Sequence, residues 1–172
     1  MVFIYFAIIA LLVGIDQLFK YLVLHFIELR ESISVIRIGK FEIFNLTHIL
    51  NDGAGWSIFS GKKLFLISLT SILLIFGIIF FIKNLNRHRL LTISLILVIS
   101  GGLGNLIDRV FRKGQVIDYI ETRFIKFPIF NFADICVVFG AIILAVYILF
   151  FDKPEQKPQL NTDGLESEDE QA

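Results

Sequence analysis

Three acidic residues, Asp108, Asp118 and Asp134, fall in a stretch that starts inside one apolar segment and ends at the start of another. A carboxylate at membrane depth costs about 2.5–3.5 kcal/mol on insertion scales, so each needs a structural or chemical reason to be there. Two carboxylates brought together in a partly desolvated site cannot both ionise. One keeps a proton and the other acts as a base. Such a pair can activate water against a peptide carbonyl, with the protonated partner polarising the carbonyl oxygen. The same groups can also relay protons or ions across a membrane.

Each acid also has a plainer reading. Asn131-x-x-Asp134 has the spacing of a capping box, with Asn131 as N-cap and Asp134 in the first turn, where the helix dipole favours an acid. Asp108 precedes Arg109, which favours a local ion pair or a helix-end role for both. Asp118, in Gln115-Val116-Ile117-Asp118-Tyr119-Ile120, has apolar neighbours and no partner in sequence. Asp16 and Lys20 stand at i and i+4, on one helix face. They form either an ion pair near a helix end, with Lys20 snorkelling to the interface, or a pair anchoring a polar site between helices.

Rival hydrolytic chemistries lack their residues. There is no Gly-x-Ser-x-Gly for a serine nucleophile and no His-Glu-x-x-His for zinc. His25, His48 and His88 are scattered. Cys136 lies two residues past Asp134, about 200° round a helix and away from any histidine, which fits packing better than nucleophilic attack. As the only cysteine it excludes an internal disulfide and a cysteine-rich metal site.

The elements that must position these residues are membrane spans. The chain of 172 residues is 56% hydrophobic, above the about 45–50% of a soluble domain. Its apolar residues come in long unbroken runs rather than a periodic pattern, and this is the signature of spanning helices. Sixteen basic and sixteen acidic residues cancel, so no basic surface points to nucleic acid. Spans are expected at about 2–27, 64–83, 90–107 and 132–151. No Lys or Arg precedes Lys20, so the first segment lacks the basic start of a cleaved signal peptide. Gly101, Gly102 and Gly104 let helices approach closely in the third span, and Asn105 can hydrogen-bond across that interface.

Between the first two spans, about 30–60, the sequence reads as a small β element on the membrane surface. Val35–Ile38 and Phe41–Phe44 flank Gly39-Lys40, a type II′ hairpin turn that sets Arg37 opposite Glu42. The stretch His48 to Trp56 follows as a turn, with Trp56 suited to an interfacial position. Four spans put both termini on one side, and the basic loop 83–89 makes that side cytoplasmic by the positive-inside rule. The outer segments hold more Lys and Arg in total, but interspersed with acids. Residues 1–151 read as one membrane-embedded domain, and 152–172 as a disordered acidic cytoplasmic tail. The fold class is therefore a polytopic α-helical membrane protein with four transmembrane helices and a small extracytoplasmic β element. These residues alone do not separate a protease from a small proton- or ion-coupled carrier subunit using Asp16, Lys20 and Asp134.

Five motifs in order resemble the bacterial lipoprotein signal peptidases (signal peptidase II). They are Asp16-Gln17-x-x-Lys20, Asn51-x-Gly53-Ala54, Gly101-Gly102-x-Gly104-Asn105-x-Ile107-Asp108-Arg109, Val116-Ile117-Asp118-Tyr119-Ile120 and Phe130-Asn131-x-Ala133-Asp134. Together they cover nearly the whole chain. By this resemblance the family's catalytic aspartates fall on Asp118 and Asp134. Asn51, Asn105, Arg109 and Asn131 match its other site residues, with Gly104 and Ala133 supporting them inside the same motifs. Asp16 and Lys20 match its structural polar residues, and Asp108 is placed with them. The departures are small: Gly55 and Trp56 where Ala and Phe or Trp are usual, and Ile-Asp-Tyr where Val-Asp-Phe is commoner. The resemblance implies an aspartyl endopeptidase of the bacterial cytoplasmic membrane with its site near the outer face. It would cut a prolipoprotein just before a diacylglyceryl-modified cysteine. It implies no metal or organic cofactor, membrane lipids as partners, a monomer, and a β element that helps cradle the lipidated substrate on the outer leaflet.

Overall fold

The computed structural model describes residues 2–53, 59–85 and 87–152. Ala54, Gly55, the interfacial expectation for Trp56 and the acidic stretch 153–172 lie outside the described residues. Among those described, the order is α1 (Val2–Phe26), β1 (Ser32–Ile38), β2 (Phe41–Asn51), α2 (Lys63–Lys83), α3 (Arg89–Phe111), β3 (Val116–Thr122) and α4 (Phe132–Phe150). All four helices are long and apolar enough to cross a membrane. The expected fold class is what is found.

The bundle is built around α3. Over half of its apolar window is buried, against less than a quarter for each of the other helices. The reason is written in its glycines, each turned to a different neighbour. A Cβ on Gly101 would collide with the backbone carbonyl of Ala133 in α4. On Gly102 it would come within 2.8 Å of Leu74 Cδ2 in α2, and on Gly104 within 2.5 Å of Asp16 Oδ2 in α1. Small residues at these points let three helices reach one axis. Further along the bundle Ile9, Leu74, Phe81, Leu91, Leu95, Ile96, Ile99 and Tyr147 form an apolar core. The outer faces of α1, α2 and α4 leave Phe3, Phe76 and Leu149 exposed, as lipid-facing surfaces require.

At one end sits a three-stranded antiparallel sheet in the order β1-β2-β3. The hairpin has its expected register, Arg37 opposite Glu42, and their side chains pair at 2.9 Å. Gly39 alone of the two turn residues takes a positive φ, +60°, as a type II′ turn requires. One expectation is corrected here, and one element is new. His48 to Asn51 are not a turn but the end of β2. Also, the segment after α3 adds a third strand, pairing Asn51 with Val116 and Ile49 with Asp118. α3 itself continues to Phe111, so Asp108 and Arg109 lie inside the helix rather than beyond it. Lys113 and Gly114 then take positive φ, +57° and +94°, and turn the chain into β3. Val23 of α1 and Ile27, just past its end, pack on Ile117 and Tyr119, fixing the sheet to the bundle. His48 adds to this through a 2.9 Å contact between Nδ1 and the Ile27 carbonyl.

At the opposite end His88 caps α3, its Nδ1 accepting from the Leu90 N–H at 3.2 Å. Arg87 pairs with Asp152 at 2.7 Å, which ties the start of the C-terminal segment to the basic loop.

The glycine contacts predict an order of sensitivity. Gly101→Ala must displace the α4 backbone, whereas Gly102→Ala need only displace a leucine rotamer. Overpacking of this kind costs about 1–3 kcal/mol. Thermal unfolding in detergent should show Gly101→Ala as the more destabilised of the two; the reverse order would refute this account of the helix contacts.

Candidate active site

The polar residues quoted from the sequence converge where α1, the C-terminal end of α3, β3 and the N-terminus of α4 meet. Lys20 is completely buried there. Its ammonium lies 2.9 Å from Asp16 Oδ2 and 2.9 Å from Asp108 Oδ2, and donates to Asn105 Oδ1 at 3.0 Å. Snorkelling to the interface is thereby excluded, and the pair anchors a polar site between helices. A buried ion is tolerable only when its hydrogen-bonding capacity is filled. Asp16 is filled further by the Ala133 N–H at 3.0 Å and Gln17 Nε2 at 3.1 Å. Gly104 leaves room for this carboxylate beside Ala133.

Asp108 does not pair with Arg109, contrary to expectation. Consecutive helical residues diverge by about 100° round the axis, so neighbours in sequence face different sides. Asp108 turns to Lys20, to Arg112 one turn on at 3.1 Å, and to the Ile117 N–H at 3.2 Å. Arg109 turns the other way and donates to the Gly53 carbonyl at 2.8 Å. Arg112 is the member missing from the sequence reading, and Gln17 stands there only inside its motif, without a role. The i,i+4 spacing of Asp108 and Arg112 was the available signal for the first. For Gln17 the signal was its polar amide inside a span, next to Asp16.

Asp118 and Asp134 reach the same place from different elements. The β2–β3 pairing carries Asp118 beside Asn51, whose Nδ2 donates to Asp118 Oδ2 at 2.9 Å. Asn131 Nδ2 donates to Asp118 Oδ1 at 2.6 Å. The expected capping box is present: Asn131 Oδ1 accepts from the Asp134 N–H at 3.0 Å, and Asp134 Oδ2 accepts from the Asn131 N–H at 3.1 Å. Asn105 Nδ2 donates to the remaining oxygen, Asp134 Oδ1, at 2.8 Å. Each of the four carboxylate oxygens therefore takes one N–H.

Both acids open on a cavity of about 420 Å³, with Asn51, Asn105 and Arg109 as its other polar walls. The rest is apolar, including Phe127, Ile129, Phe130, Val138 and Phe139. This suits a largely apolar ligand held by a few polar groups. Burial, and then the charge of Asp134, push the Asp118 carboxyl from its ordinary 3.8 up to about 7, against the two asparagine donors. Among the described residues no group of three or more His, Cys, Asp or Glu is placed to hold a metal. Cys136 is buried in α4 as packing.

A polytopic membrane protein with a buried ion cluster supporting a two-carboxylate cavity is the class that fold and site define. A model of the family described as signal peptidase (SPase) II matches residues 8–150. The lipoprotein signal peptidase of Enterococcus faecalis is 39% identical over 160 residues, covering 93% of this chain and 96% of that protein. The one from Clostridium acetobutylicum is 40% identical over 148 residues, covering 84% and 93%. A bacterial membrane enzyme solved by the in meso method at 2.3 Å superposes with a TM-score of 0.80 at 34% identity, covering 91% of this chain and 95% of its own. The chain belongs to the signal peptidase II family and is a multi-pass membrane peptidase.

The Asp118 environment predicts a pH dependence of stability. Between about pH 4 and pH 7 the folded protein binds this proton and the unfolded chain does not, so stability falls as pH rises through that window. Asp118→Asn removes the dependence. Melting curves from pH 5 to 8 should show a steeper decline for wild type than for Asp118→Asn. Parallel curves would contradict the burial of a proton-binding carboxyl.

Proposed function

We propose that this chain is an aspartic endopeptidase. It would remove the signal peptide from a diacylglyceryl-modified prolipoprotein just before the lipidated cysteine, with Asp118 and Asp134 as the water-activating pair. The observation that carries this reading is the set of four carboxylate oxygens, each held by one N–H, at the wall of a cavity otherwise mostly apolar. Each oxygen keeps a lone pair for a water or a shared proton. The more buried Asp118, with its raised proton affinity, holds the proton and polarises the scissile carbonyl. Asp134, in the first turn of α4 where the helix end stabilises an anion, takes a proton from the attacking water. The tetrahedral intermediate collapses as the leaving amine is protonated by Asp134, and the proton on Asp118 is restored from the collapsing hydroxyl. Arg109, Asn51, Asn105 and Asn131 line or brace this cavity, while Asp16, Lys20 and Asp108, with Gly104 and Ala133 against them, support it from behind.

The buried charged residues Asp16, Lys20, Asp108, Arg109 and Asp118 gather at one end of the bundle, and the apolar core occupies the helices beyond. Buried Ser94, Ser100 and Thr92 in that region donate to carbonyls of their own chain nearby. This argues for local chemistry and against a charge path through the membrane. The acidic site lies at the outer face, the β sheet cradles the lipidated substrate there, and both termini are cytoplasmic. The chain acts as a monomer, with residues 1–151 as one domain.

On purified protein with a diacylated peptide, Asp118→Asn and Asp134→Asn should each abolish cleavage while the protein remains folded, and the double variant should be no worse than either. Substantial cleavage by either single variant would end the assignment. Orientation has its own test. A reporter fused after Phe151 should read as cytoplasmic, together with one in the 83–89 loop; an external reading would reverse the topology.

A further inference from the structure

The three asparagines of the site share one feature: each is oriented by a group that can only donate. Asn51 Oδ1 accepts from the Gly53 N–H at 2.9 Å, and Asn131 Oδ1 from the Asp134 N–H at 3.0 Å. Asn105 Oδ1 accepts from Lys20 Nζ at 3.0 Å. An ammonium or a peptide N–H offers no acceptor, so each amide must turn its oxygen to that group and its NH₂ the other way. In each case the other way is a carboxylate: Asp118 for Asn51 and Asn131, Asp134 for Asn105. Two of the orienting groups are backbone. The third is a side chain, and it is the one whose replacement is open to experiment.

We propose that Lys20 is a positioning residue for the reaction, holding the Asn105 amide in the one orientation that donates to Asp134. The proposal rests on the reading of Asp118 and Asp134 as the reacting pair. Asn131 Nδ2 also donates to Asn105 Oδ1, at 3.1 Å, so the two amides agree in polarity. A flipped Asn105 would set its carbonyl oxygen against Asp134 Oδ1. That contact is favourable only when Asp134 Oδ1 carries a proton. Lys20 thus keeps the pair's proton off that oxygen and leaves Asp134 able to accept one from water. It does so without meeting substrate, since it is completely buried and is not part of the cavity wall. Lys20 touches Asp16 on α1 and Asp108 on α3, Arg112 at the C-cap of α3 holds the other oxygen of Asp108, and Asp118 on β3 is within electrostatic reach. Arg109 on α3, Tyr119 on β3 and Asp134 on α4 are the other titratable or charged groups at this end of the bundle.

The test separates the donor from the charge. Asp16→Asn/Lys20→Met and Asp16→Asn/Lys20→Gln keep the same net charge, but only glutamine offers an N–H to Asn105. Cleavage of a diacylated peptide, per folded molecule, is followed against pH. The methionine pair should move the acid limb of kcat/KM upward by about one pH unit, with KM little changed, because a carboxylate that loses a donor binds its proton more tightly. The glutamine pair should stay near wild type. Asn105→Ala should reproduce the methionine shift, and combining it with the methionine pair should add nothing. Superimposed profiles for the methionine and glutamine pairs overturn the proposal. If the methionine pair does not fold, Asn105→Ala decides, since it leaves Lys20 both carboxylate partners; an unmoved acid limb there overturns it too. Cleavage by Asp118→Asn or Asp134→Asn would instead remove the underlying dyad, a result distinct from either.

Discussion

The whole arrangement depends on one ammonium kept out of water. Lys20 has no solvent exposure, and three oxygens from two helices surround it. Taking such ions out of water costs several kcal/mol each, which good geometry and complete hydrogen bonding must offset. The cluster meets that demand by recruiting every helix that bears on the site. α1 supplies Asp16, Gln17 and Lys20, and α3 supplies Asp108 and Asn105, with Arg112 as its C-cap. α4 contributes the Ala133 N–H, and β3 the Ile117 N–H. The interaction that makes burial tolerable therefore also fixes the relative positions of four elements. Two carboxylates around one lysine leave an excess negative charge, and Arg112 reaches in from a partly exposed position to balance it.

Helix-end architecture and site architecture coincide at α4. Asn131 takes the extended conformation of an N-cap, φ −131° and ψ −179°, and exchanges hydrogen bonds with Asp134 in a complete capping box. The box uses one oxygen of each side chain. Asn131 Nδ2 is left for Asp118 and Asn105, and Asp134 Oδ1 for Asn105. The capping reading and the chemical reading of these residues are thus not alternatives. Capping makes the acid rigid, and rigidity lets a hydrogen-bonded carboxylate serve as a defined acceptor.

The glycines of α3 work from the other side of the same problem. A polar cluster can hold helices together only if their backbones come close, and side chains of ordinary size would hold them apart. Gly104 is the point where both requirements meet, since the space it leaves is filled by the Asp16 carboxylate. Away from this end the helices pack chiefly through apolar contacts, with Tyr5 and Phe6 edge-on to Phe81 at 6.1 Å.

What the sequence determined by itself is what short range can specify. Long apolar runs have one stable solution in lipid, a helix whose backbone satisfies itself, so the four helices were legible to within a few residues. The hairpin register of Arg37 and Glu42, the capping box and the i,i+4 pairing of Asp16 with Lys20 are all local, and all are present. The family motifs also named the polar residues that meet at the site. Tertiary structure alone decided how those residues divide their hydrogen bonds. Asp108 turns from its neighbour Arg109 to Lys20, Asn105 takes Lys20 across 85 positions, and Asp16 takes the Ala133 N–H across 117. β3 likewise exists as a strand because β2 is there to pair with it. The physical reason is one of reach. A side chain's choice among partners at similar distance is set by which helix faces are brought together, and that depends on packing at glycines far from it in the chain.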